Sequence, residues 1–181
     1  MQQLFFRLIA SAIIVATAFG QEPSNPSNAN KLTPEQKNLA AFVGTWELSV
    51  EGIEKKGRAE VKSILGGRFI TEDVTLPFGD FDMEWHGVMG YDESQKQYTG
   101  IWFDNANNTT RSNFGEANAS GRIITYRGEQ AGIGKFIWRI SNDGEKSMMI
   151  EMFQLSDSGS ETLIMKISGT GLNPAAVQGE K

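Results

Sequence analysis

A change of hydrophobic period at Gly44 constrains this chain more than any other feature. From there to about Gly169, apolar side chains recur at every second position, in short segments rich in β-branched and aromatic residues. A period of two marks a strand with one dry face. The segments run over 45–51, 57–65, 68–76, 83–91, 97–104, 110–117, 122–128, 135–141, 146–155 and 161–169. Several joints have hairpin chemistry: Ala119-Ser120-Gly121, Asn142-Asp143-Gly144 and Asp157-Ser158-Gly159. Glycine makes up 20 of 181 residues, above the usual ~7%, and many of these sit at segment ends where turns need positive φ. No helix long enough for a parallel crossover separates the segments, so neighbouring strands are expected to be antiparallel. The expected fold is all-β, an antiparallel meander of eight to ten strands. Closure into a barrel removes both exposed edges; a two-sheet sandwich is the alternative.

Ahead of Gly44 the period is 3.6. In "TPEQKNLAAFVG", Thr33 is the N-cap, Pro34 takes the first helical position, and Gln36 completes a capping box. Leu39, Phe42 and Val43 fall on one face, and Gly44 ends the helix. This predicts a short helix over 33–42, placed to plug one end of the strands. If it does so, Trp46 packs beneath the barrel against Leu39 and Phe42.

Alternation also nominates an interior. Ala59, Val61, Ser63 and Leu65 share one face, as do Phe136, Trp138 and Ile140, then Met148, Ile150 and Met152, then Leu163, Met165 and Ile167. Trp85, Gly87 and Met89 share the face expected to be dry, which turns Glu84 and His86 outward. From these faces come the candidate ligand-lining residues Trp85, Met89, Trp138, Met148, Met152 and Met165. The opposing expectation is that such side chains simply fill the core.

The N-terminus, "MQQLFFRLIASAIIVATAFG", places Arg7 before an apolar or small-residue run from Leu8 to Phe19. That run is too short for the ~20 residues of a membrane span and reads as a secretory signal peptide over 1–20, cut after Ala18 or Gly20. No cysteine follows it, so a lipoprotein anchor is not expected. Residues 21–32, "QEPSNPSNANKL", are polar and rich in Pro, Ser and Asn, which suits a disordered leader. The barrel is then expected over 33–170, with a tail over 171–181, in the periplasm or outside the cell.

Charge and cysteine content narrow the partners. The net charge of −5 becomes −6 once Arg7 is removed, and no Lys/Arg cluster is present. An acidic surface repels phosphates, so neither nucleic acid nor, after cleavage, a membrane is an expected partner. With no cysteine in the chain, thiolate catalysis, dithiol redox chemistry and thiolate metal sites are excluded.

A short helix followed by Gly44-Thr45-Trp46 resembles the opening of lipocalin-like barrels, in which the helix plugs one end and the tryptophan packs against it. More specifically, "VGTWEL", "ILGGRFITED", "HGVMGYDESQKQYTGIWFDN" and "NFGEANASGRIITYRGE" resemble a family of mostly bacterial, often exported proteins catalogued as a domain of unknown function (number fifteen seventy-nine). The pattern is Gly44/Trp46, then Gly66/Gly67/Arg68/Phe69, then Gly90/Tyr91/Asp92, then Trp102/Asp104, and the resemblance spans about residues 35 to 168. It implies a lipocalin-like (calycin-type) barrel and no particular activity. Read physically, Gly66-Gly67 is a tight turn, while Asp92 and Asp104 bond backbone amides in the loops that follow them.

Catalytic constellations are sparse. His86 is the only histidine; on an outward face, with only carboxylates for company, it suits neither haem nor zinc. Asp80, Asp82 and Glu84 alternate, but Trp85 stands where a calcium loop needs glycine. No Gly-x-Ser-x-Gly elbow or phosphate loop is present. No cofactor is therefore expected. A module binding a small apolar or amphipathic ligand is expected ahead of a hydrolase-type enzyme working through cavity carboxylates or His86 with a serine. The third expectation is an accessory domain with a filled core.

Overall fold

All ten segments are strands. In the computed structural model they are β1 (Gly44–Val50), β2 (Gly57–Ile64), β3 (Phe69–Phe78), β4 (Phe81–Asp92), β5 (Gln97–Asp104), β6 (Asn107–Ala117), β7 (Ile123–Gln130), β8 (Gly134–Asn142), β9 (Ser147–Leu155) and β10 (Glu161–Leu172). The structure describes residues 31–130, 132, 134–143 and 146–172, without the side chains of 107–109. The signal-peptide segment, all but the last two residues of the leader, and the tail beyond 172 lie outside the described residues. Each strand pairs antiparallel with its sequence neighbour, and β1 pairs with β10 as well as β2. At the seam, Trp46 lies opposite Ala59 on one side and Gly171 on the other. The sheet is thus a closed ten-strand barrel rather than a sandwich.

The helix, α1 (Pro34–Ala40), has the expected capping box: Gln36 N–H donates to Thr33 Oγ1 at 3.2 Å, and Thr33 N–H donates to Gln36 Oε1 at 2.9 Å. It stops earlier than the expected 42. The chain leaves helical repetition at Ala41, so Val43 misses the buried face and is 41% exposed. Leu39, Phe42 and Trp46 are buried together, and Trp46 Nε1–H donates to the Phe42 carbonyl at 2.9 Å. Tyr98 fixes the helix from the barrel side: its hydroxyl donates to the Glu35 carbonyl at 3.3 Å and accepts from Asn38 Nδ2 at 3.1 Å.

Two expected interior faces break. On β2, Ala59 and Val61 are buried but Ser63 is exposed, and Leu65 is 71% exposed. Leu65, Gly66 and Gly67 form a 3-10 turn with φ of 50°, 70° and 90°, and this reversal takes the chain out of strand alternation. On β10 a bulge lies between Leu163 and Met165, so that Leu163 sits opposite Phe153 while Met165 sits opposite Met152. One extra residue flips the side chains beyond it to the other face. Met165 and Ile167 keep the inner face, and Leu163 is 46% exposed.

Candidate functional site

The end of the barrel away from α1 is not filled. A cavity of about 190 Å³ lies there among β3–β10. Its apolar wall is made by Met83, Trp85, Trp102, Trp138, Met152 and Met165, backed by Ile140 and Ile150. Four polar side chains join them: Glu72, Arg111, Asn113 and Gln130.

Glu72 is the centre of the polar set. It follows Ile70 and precedes Val74 and Leu76 on the inner face of β3, and all four are buried. Its Oε1 accepts the indole N–H of Trp85 at 2.9 Å and of Trp102 at 2.6 Å. The register explains how two side chains a strand apart can meet. Glu72 is opposite Gly87, and Gly87 is opposite Trp102. A Cβ on Gly87 would stand 2.7 Å from the Trp102 ring and 2.8 Å from Glu72 Cγ. The glycine therefore leaves the gap through which the carboxyl and the indole touch. Burial pushes the Glu72 carboxyl above the usual carboxylate range, against the opposing pull of the Trp102 and Trp85 hydrogen bonds.

Arg111 is already engaged. It forms an ion pair with Asp104, whose side chain is fully buried, and donates to Gln130 Oε1 at 3.2 Å. Tyr126 stands edge-on to Trp102 with ring centroids 5.3 Å apart. Its hydroxyl is buried without a hydrogen-bond partner among the described residues, and burial raises its pKa.

The sequence profile of a family described as "Protein of unknown function (DUF1579)" matches residues 31–170. The chain belongs to the DUF1579 family. No curated protein matches it.

The motifs that resemble DUF1579 fall at turns and packing points of this barrel. Gly44 opens β1 with φ 152°, and Leu32 packs on Gly67. Arg68 caps the 3-10 turn, and the Phe69 ring lies over Gly90 where a Cβ would collide with it. Tyr91 packs edge-on against Tyr98 at 5.2 Å. Asp92 Oδ1 accepts from Ser94 N–H at 2.8 Å and Gln95 N–H at 3.1 Å, and Asp104 Oδ1 accepts from Ala106 N–H at 3.0 Å. Asp104 and Trp102 do more than the sequence assigned them, because one neutralises Arg111 and the other bonds Glu72.

Of the six candidate ligand-lining residues, Trp85, Trp138, Met152 and Met165 face the cavity. Met89 and Met148 do not; both are buried in the packed core nearer the helix, with Met148 against Leu48 and Gly169. Sequence reasoning missed Glu72, Arg111, Asn113 and Gln130. Glu72 had a signal, since it occupies the apolar parity of "FITEDVTL" between Ile70 and Val74. His86 points outward, with Nδ1 2.7 Å from Asp73 Oδ1 and its ring beside Phe103. Asp82 pairs with Lys55 at 2.7 Å. Among the described residues, no group of three His, Asp or Glu side chains has metal-holding geometry.

Proposed function

We propose that this protein is an exported binding module that takes a small apolar or amphipathic molecule into the open end of its barrel. The cavity carries the reading. It has three indoles and three thioethers for the body of a ligand and a few convergent polar groups to orient it, the usual make-up of a small-molecule site. At 190 Å³ it is slightly larger than the roughly 150 Å³ cavities that hold benzene. The ligand is therefore about the size of one substituted ring. A hydrolase working through paired cavity carboxyls would need a second one beside Glu72, and Asp104 is committed to Arg111. Export is supported by the Arg7-led apolar run, the A-x-A pattern of Ala16 and Ala18 and the looser one of Ala18 and Gly20.

Native mass spectrometry of the purified protein tests the binding reading, followed by tryptophan-quenching titrations with single-ring and short-chain amphipathic compounds. Micromolar quenching or a retained small molecule is expected. Silence across the panel would leave the protein an accessory domain without a ligand. For export, the N-terminal peptide mass of secreted material should begin after Ala18 or Gly20; recovery of intact Met1 would defeat the claim.

A further inference from the structure

We propose that the ligand is a small organic amine, its ammonium seated on Glu72 and its apolar body among the indoles and thioethers. The proposal rests on the cavity reading above and adds the sign of the ligand's charge.

One of the two charges in the cavity is already neutralised and the other is not. Two ionisable side chains line it, Glu72 and Arg111. Arg111 is paired with the buried carboxylate of Asp104 and also donates to Gln130. An anionic ligand would meet a guanidinium whose charge Asp104 already neutralises. Among the described residues, Glu72 has no such partner. Its hydrogen bonds are the two indole N–H groups, and both go to Oε1. A carboxyl has about four acceptor positions, so Oε2 is left for a donor brought by the ligand. The charge the protein leaves unanswered in this cavity is negative.

The surroundings fit a cation. Trp85, Trp102 and Trp138 line the same space, and indole faces attract ammonium groups. Methionine sulfurs supply polarizable, adaptable walls for the rest of the ligand. A bound ammonium would also relieve the cost that burial places on the ionised carboxyl. The net charge of −5 favours the approach of cations over anions. The site is built rather than incidental: Glu72 and Trp102 meet only because residue 87 has no side chain between them.

The test uses the purified full chain and three probes with similar bodies and different heads: phenethylamine, 2-phenylethanol and 3-phenylpropionate. Calorimetry at neutral pH should rank the amine at least about tenfold above the alcohol, with the carboxylate last. Glu72→Gln keeps the shape and an acceptor oxygen for both indoles. It should bring the amine to within about threefold of the alcohol while moving the alcohol itself by less than that. An amine ranked level with or below either other probe in the unmodified protein overturns the proposal without reference to any variant. So does an amine preference that survives Glu72→Gln. Binding by none of the three overturns the cavity reading as well, so the two failures are distinguishable.

Discussion

The two ends of this barrel are made from the same alternation and reach opposite results. At the helix end, inner positions hold Leu48, Ile70, Met89, Ile124, Met148 and Ile167, all buried in one apolar cluster. The polar groups there are satisfied locally: the Trp46 indole by the Phe42 carbonyl, and the Tyr98 hydroxyl by the helix. At the far end, the same inward parity carries Glu72, Arg111, Asn113 and Gln130 among large rings. Arg111 donates to Gln130, Glu72 holds the Trp85 and Trp102 indoles by their N–H groups, and the space they border stays unfilled. A closed sheet fixes which residues point inward. Whether the interior is solid or hollow depends on what stands at those positions.

If the closed end carries the stability and the open end the binding, damage to each should read out differently. The largest effect is expected at Trp46. It is 5% exposed and joins the helix to β1, so Trp46→Ala should cost about 3–5 kcal/mol in urea unfolding. A loss below about 1 kcal/mol would show that the helix is not a plug.

Next is Gly87→Ala. The new methyl would press on Trp102 and Glu72 Cγ, and overpacking of this kind costs about 1–3 kcal/mol. Its particular signature lies at the open end. Tryptophan emission should shift to the red as Trp102 loses Glu72, and probe binding should fall. Unchanged emission and binding would break the claim that this glycine creates the site.

Glu72 separates stability from binding by pH. Its folded carboxyl titrates above the ordinary glutamate range because of burial. The folded protein therefore holds that proton more tightly than the unfolded chain. Stability from this group is intact below the ordinary range and declines as pH rises through the raised value. Glu72→Gln removes the slope. The variant should match the parent near pH 4 and be the more stable of the two near pH 8. A constant difference across that range would mean that Glu72 titrates normally.

The sequence showed the barrel better than it showed the cavity, and particular residues explain why. Every strand was legible because each has a period of two and ends in turn chemistry. Closure was legible because a long meander without crossovers needs no edges. The misplaced side chains sit where local geometry overrides alternation: Leu65 in a turn with three positive φ values, Leu163 beyond a bulge, and Val43 just past a helix that ended at Ala41. None of these has a periodic signal. The four missed polar lining residues were harder for another reason. Arg111 and Gln130 are polar residues in polar contexts, and only the register across β5, β6 and β7 turns them toward each other. Met89 and Met148 were named because methionine on an inner face suits a pocket, yet depth along the barrel, which decides between pocket and core, is invisible in a single strand.

The smallest effect should come from the residue that draws the eye first. His86 shares β4 with Trp85, but one step along the strand puts it on the other face of the sheet. Its partner is Asp73 at 2.7 Å, and the two side chains are 47% and 55% exposed. An exposed pair of this kind contributes about 0–1 kcal/mol, less with added salt. His86→Ala should therefore change urea stability by less than about 0.5 kcal/mol and leave the affinity for phenethylamine where it was. The contrast with Glu72 is the useful part. The two residues lie on adjacent strands one register step apart, since His86 faces Asp73 and Gly87 faces Glu72. If His86→Ala weakened ligand binding as much as Glu72→Gln, the wall of the barrel would not be separating an inner site from an outer surface. The division between the faces of this sheet would then have to be redrawn.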